Sequence, residues 1–182
     1  MALVVFLRGV NVGGHRTFRP TALAARLQHL GVVNIGAAGT FVIRARVSRA
    51  KLRAELARRL PFETTIAVCD GRDITKLIDS DPFSGERASP DVVRFISVLT
   101  RSPRLKPKLP RTFPPQGTWL VKVLARQGCF IVGEYRRQMG TIGHLGRIDG
   151  LFGVPVTTRN WSTIASIGVV LAAMPAKTTS AL

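Results

Sequence analysis

Ala2-Leu3-Val4-Val5-Phe6-Leu7-Arg8-Gly9 opens with an unbroken apolar run closed by a cation and a glycine. Such a run suits a strand covered on at least one face and central in a sheet. Beyond it, Leu23, Leu27 and Leu30 recur at helical spacing with Gly31 where a left-handed cap residue belongs, giving a first helix that starts near Arg19-Pro20. Val32 to Ile35 and Phe41 to Val47, parted by Gly36-Ala37-Ala38-Gly39, read as a hairpin or two adjacent strands. Ser48 is placed to cap a second helix on which Leu52, Leu56 and Leu60 repeat until Pro61 stops it. Thr64 to Cys69 follows as a fourth strand, and Asp73 to Ile78 as a short helix ended by Asp81-Pro82.

Strand, helix, strand, strand, helix, strand over residues 2–70 is the split βαβ order of a ferredoxin-like unit with an antiparallel sheet. Residues 1–80 are assigned to that unit. Residues 81–174 are assigned to a smaller second α+β part, so the fold class is α+β. Its strands are Val92 to Thr100, Trp119 to Arg126 and Cys129 to Tyr135, the last two joined by a tight turn at Gln127-Gly128. Arg101 to Pro115 reads as a proline-rich irregular connection. A glycine-broken helix, a short extended piece from Val154 to Thr158 and a helix from Ser162 to Leu171 complete this part, and residues 175–182 are expected to form a disordered tail.

Of 182 residues, 46% are hydrophobic, and 27 Lys and Arg against 10 Asp and Glu leave a net charge of +17. That is apolar enough to build a core and excludes a disordered chain. Two cysteines, Cys69 and Cys129, exclude a disulfide scaffold, and with no secretory signal they point to reduced thiols in the cytoplasm. Ile164 to Met174 is well short of the roughly 20 residues of a membrane span, so no membrane partner is expected. The charge is spread, +8 in residues 1–80 and +9 in residues 81–182. A positive field of this size favours a polyanionic partner, and a merely basic surface accounts for it as readily.

The loop after the first strand, Leu7 to Gly14, holds the first candidate site: Arg8, Gly9, Asn11, Gly13, Gly14 and the nearby Arg16. It matches neither G-x-G-x-x-G nor a P-loop. One account places a phosphate on loop amides between Arg8 and Arg16; the other is a tight turn with glycines at positive φ and Asn11 bracing it.

Leu7 to Gly14, Asp81-Pro82-Phe83 and Thr158-Arg159-Asn160-Trp161, in this order and spacing, resemble the domain of unknown function (DUF) 1697 family. The resemblance spans nearly the whole chain and implies a two-part α+β protein with a ferredoxin-like N-terminal part. It supplies no reaction, cofactor or catalytic residue. The chain departs from the family at Ala37-Ala38-Gly39-Thr40, where members usually carry a Gln-Ser-Gly-Asn-like turn. It departs again at Gly140 to Leu145, where a Gly-x-Ser-Lys-like segment is common and where His144 and Arg147 are the substitutes at hand.

Arg159, Asn160 and Trp161 precede the last helix. They read as a lock between helix and sheet, with Asn160 or Ser162 as the cap, or as an exposed Arg-Trp surface that stacks a base or grips a peptide. His15, His29 and His144 are scattered, so no metal is implied. No nucleophile elbow or acid–base pair stands out, Cys129 sits on a hairpin strand where core is its simpler role, and no cofactor is called for; whether the protein is an enzyme is left open.

Arg44 to Arg59 carries seven basic residues against Glu55, with Arg49, Arg53, Arg58 and Arg59 on the solvent side of the second helix. Arg94 to Arg126 carries eight with no acid, and prolines hold its middle extended. Arg101, Arg104, Lys106, Lys108 and Arg111 are therefore the favoured nucleic-acid contacts. Phe6 and Phe41 are too few aromatics for an RNA-recognition sheet. The expected function is non-catalytic binding of an anionic partner, non-specific nucleic acid ahead of a phosphate-bearing ligand. A nucleotide- or phosphate-binding enzyme using the Gly9 to Gly14 loop and a structural or protein-interaction module remain alternatives, and the oligomeric state is not fixed.

Overall fold

The computed structural model describes residues 2–11, 18–87 and 89–174. β1 (Leu3–Leu7), α1 (Pro20–Arg26), β2 (Val32–Ile35), β3 (Thr40–Ile43), α2 (Arg49–Arg59) and β4 (Ile66–Asp70) follow one another in the chain. Their strands form one sheet in the order β2-β3-β1-β4, with every neighbouring pair antiparallel. β1 is internal and all five of its residues are buried. The reason is that both faces are covered. Leu3, Val5 and Leu7 pack with Leu23 and Leu27 of the α1 segment and with Leu52 and Leu56 of α2, while Val4 and Phe6 look the other way.

α2 starts where the Ser48 hydroxyl accepts from the Lys51 N–H, satisfying one of the helix's free first-turn donors. α1 ends at Arg26, short of the helix over Leu30 that the leucine spacing suggests, and a 3-10 turn over Gln28–Leu30 takes the chain to Gly31 at φ 59°. β3 also stops early, at Ile43, because the Arg44 and Ala45 amides bond to the carbonyls of Gly31 and Leu30 instead of extending the strand toward Val47.

After α3 (Gly71–Asp79), a second sheet has the order β6-β7-β8-β5-β9. Its members are β5 (Val92–Leu99), β6 (Arg111–Phe113), β7 (Val121–Gln127), β8 (Phe130–Arg136) and β9 (Val156–Asn160), again antiparallel throughout. One sequence expectation fails here and another is extended. The connection from Arg101 to Pro115 is not wholly irregular, since β6 pairs with β7, and the extended piece before the last helix is a full edge strand on β5. With both added, the second part carries the larger sheet and is not the smaller one. Neither strand has a periodic pattern strong enough to show without its partner. The β7–β8 turn also falls one residue later than expected, with Gly128 at φ 60°. Gly133 on β8 is required for another reason: a Cβ there would stand 2.4 Å from Phe95 and 2.6 Å from the Lys122 carbonyl oxygen.

α4 (Thr141–Leu145) and α5 (Arg147–Phe152) follow β8; Ile148 and Phe152 of α5 cover one face of the second sheet against Phe95, Val123 and Ile131. α6 (Trp161–Ala172) packs on α3, β2, β3 and β5. Between the sheets lies one core cluster drawing Val4, Phe6 and Cys69 from the first sheet, Ile96, Val98 and Val132 from the second, Leu77 from α3, and Ile164 and Ile167 from α6. The segment expected to be a disordered tail, 175–182, lies outside the described residues. No described helix is long and apolar enough to cross a membrane.

Candidate functional site

Arg159 leaves β9 and runs into the first sheet, where it is 8% exposed. Its Nη2 donates to the Leu7 carbonyl at 2.7 Å and the Ala38 carbonyl at 2.6 Å, its Nε to Thr40 Oγ1 at 2.7 Å and its Nη1 to the Thr158 carbonyl at 2.8 Å. No carboxylate is among these partners. Burial lowers the pKa to about 10, so the guanidinium remains charged at neutral pH, and backbone dipoles with one hydroxyl stand in for an anion. The acceptors at the β2–β3 turn are the Ala38 main-chain oxygen and Thr40 Oγ1, so the latch needs no polar side chain from Ala37 or Ala38.

Arg8 makes a second fastening. Its Nη2 lies 2.5 Å from Asp149 Oδ2 on α5, while Asp149 Oδ1 accepts from the Val156 amide at 3.0 Å. Asn11, at φ 55°, spends its side chain on the chain itself: Oδ1 accepts from the Phe18 amide, and Nδ2 donates to the carbonyls of Phe18 and Ala37. Gly9, at φ 60°, turns the backbone. Gly13, Gly14 and Arg16 lie outside the described residues. A phosphate on this loop would have to compete with Asp149 for Arg8 and with the backbone for Asn11.

Trp161 meets Phe83 edge to face with ring centroids 5.2 Å apart, and the Arg94 guanidinium lies 5.2 Å from the Phe83 centroid. Asn160 occupies the N-cap position of α6 but makes no side-chain cap; its Oδ1 accepts from the Tyr135 hydroxyl at 3.1 Å. The expected cap is thus diverted to β8, two strands away in the same sheet, and Arg159 is the motif residue that bonds across to the first sheet.

Beside Phe83, Glu134 on β8 stands opposite Arg94 on β5 and Lys122 on β7. It is 3% exposed, and among the described residues its Oε1 has no hydrogen-bond partner, the Arg94 Nε standing 3.6 Å away. Burial pushes the carboxyl above its ordinary value, with Glu86 adding to the rise and Lys122 and Arg94 opposing it. A carboxyl raised by folding costs stability as pH climbs from its ordinary value to the raised one, and the full cost stays in place above that. Glu134→Gln is expected to raise Tm near neutral pH, with the gain vanishing below the ordinary carboxylate range. A calorimetric pH series showing no neutral-pH gain contradicts this.

The cations gather elsewhere. A cleft of about 640 Å³ opens between the sheets, lined by Arg49 and Arg53 of α2, Lys76 of α3, Arg101 after β5 and Arg126 of β7, with Asp73 the one acidic residue of its lining among the described residues. Arg49 is shared with Asp70 at 2.6 Å, and Arg53 Nε donates to the Ile66 carbonyl at 3.3 Å. Cys69 and Cys129 reach the floor with Val68, Leu77 and Phe130. Burial raises the Cys69 thiol well above its ordinary value and pushes Cys129 up to about 11, so neither is a thiolate nucleophile at neutral pH. Arg101 is the one residue of the proline-rich set that lines this cleft; Arg104, Lys106, Lys108 and Arg111 are exposed outside its lining. Lys76 and Arg126 escaped the sequence reading, since nothing in the linear order says that α3 and the end of β7 face each other. His144 is half-buried and Arg147 exposed, outside the cleft. Among the described residues no three His, Cys, Asp or Glu side chains gather in a way that could hold a metal ion.

The fold and its latch define a class: two antiparallel sheets docked through a shared core and fastened by a buried arginine. Residues 1–110 match the family described as "Protein of unknown function (DUF1697)", and the chain belongs to that family. It is also similar to the conserved bacterial protein SP0830 from Streptococcus pneumoniae, with a TM-score of 0.59 at 19% identity over 93% of this chain and 98% of that one. At that identity the likeness speaks for the fold alone. No curated protein matches the chain.

Proposed function

We propose that this is a cytoplasmic, non-catalytic protein that binds an anionic partner, nucleic acid before any small phosphate ester, in the cleft between its sheets. The observation that carries the reading is the cleft's charge, five cations against Asp73, gathered from both halves of the chain. Cations facing one another across low-dielectric walls concentrate a positive potential more strongly than the same number scattered on a surface. The exposed Arg104, Lys106, Lys108 and Arg111 extend that field beyond Arg101. We read residues 1–80 as the ferredoxin-like unit, supported by the strand order β2-β3-β1-β4, and residues 81–174 as the part that closes the cleft.

A phosphate-binding enzyme on the Gly9 to Gly14 loop is less favoured, because Arg8 is engaged by Asp149 and Asn11 by the backbone. The test is fluorescence anisotropy with labelled single strands across a salt series. Each contacted phosphate should add about −0.7 to the log–log slope, so replacing Lys76 and Arg126 together by Ala should flatten it by about 1.4. Replacing Lys106 and Lys108 should flatten it less. Absence of binding at low salt removes the reading, and a slope altered only by the second pair moves the contact to the proline-rich connection.

A further inference from the structure

We infer that the cleft takes one phosphodiester strand with its phosphates inward and its bases outward, and that it discriminates against duplex. This rests on the anion-binding reading above and names its ligand more narrowly. The cations come from both halves of the chain: Arg49 and Arg53 on α2 and Lys76 on α3 from one, Arg101 after β5 and Arg126 on β7 from the other. A strand lying between them meets positive charge from two directions. A duplex cannot enter, because a rod whose grooves alone measure about 6 and 12 Å in width rests on the rim of a cavity of about 640 Å³ and reaches one side at a time.

The lining also decides which part of the strand faces in. Stacking needs an accessible aromatic face, and among the described residues the one aromatic in the lining, Phe130, is 3% exposed. The lining is mainly guanidinium and ammonium, which suit phosphate oxygens; Thr100 Oγ1 is given to the Pro155 carbonyl and Gln127 Oε1 to the Ser80 hydroxyl, leaving Ser102 beside the cations. With Arg49 shared with Asp70 and Asp73 opposing, about three or four phosphates can be neutralised, giving a slope of about −2 to −3 on single strands.

The experiment compares a short oligothymidylate, an oligouridylate, a duplex of equal length and an abasic phosphodiester strand, each titrated at low salt. The two strands should bind alike and at least about tenfold tighter than the duplex. The abasic strand should stay within about threefold of them, since stacking contributes little. Asp73→Asn removes the opposing charge and should tighten strand binding severalfold, a gain that a misfolded variant could not produce. Duplex bound as tightly as single strand, or an abasic strand that fails to bind, overturns this inference while leaving anion binding intact. Failure of all four probes at low salt removes both.

Discussion

Arg159→Met is expected to cost about 4 kcal/mol of folding stability, since several buried acceptors lose their donor at about 1–3 kcal/mol each. The guanidinium's own desolvation penalty disappears with it, which offsets part of the loss. The acceptors still decide the sign, because the Leu7 and Ala38 carbonyls and Thr40 Oγ1 stay where the latch left them. Against a typical domain stability of about 5–15 kcal/mol this is a large fraction. Arg159→Lys should recover only part, as one ammonium cannot reproduce a planar fork that spans two strands and a turn. Urea unfolding followed by circular dichroism measures both variants; an Arg159→Met protein within about 1 kcal/mol of the parent would show that the latch is dispensable.

Phe83→Ala carries the next largest expected effect. The ring is 2% exposed, caught between the Trp161 edge and the Arg94 guanidinium, and truncating a buried phenylalanine costs about 3–5 kcal/mol in lost burial and residual cavity. The variant should also change Trp161 emission, because the indole loses the ring packed against it. Carrying the substitution in a Trp119→Phe background isolates that signal. Phe83→Leu, which keeps most of the volume, should lose much less. Equal losses for Leu and Ala would mean that the aromatic contact matters more than filled space.

Much of the element order was legible because its signals are local. The apolar run Leu3 to Leu7, the Ser48 cap and the leucine spacing of the second helix each act within a few residues, and β1 and α2 sit where those signals place them. β6 and β9 were not legible at full length, since an edge strand of modest pattern is defined by the partner that supplies its hydrogen bonds. The candidate residues divide in the same way. Arg8 and Arg159 stand out in the sequence as cations in recognisable motifs, but Asp149 lies 141 positions from Arg8, and the Leu7 carbonyl lies 152 positions from Arg159.

Composition and periodicity by themselves determined an apolar core, an antiparallel first sheet and a heavy excess of positive charge. Only the docking of the two sheets decided what the charge does. It buried Arg159 and paired the half-exposed Arg8 with Asp149 to fasten the halves, and it brought Arg49, Arg53, Lys76, Arg101 and Arg126 to one cleft. The physical reason is range. Hydrophobic patterning and capping act between residues adjacent in the chain, whereas a guanidinium's partner and a cleft's potential depend on which surfaces the shared core brings face to face.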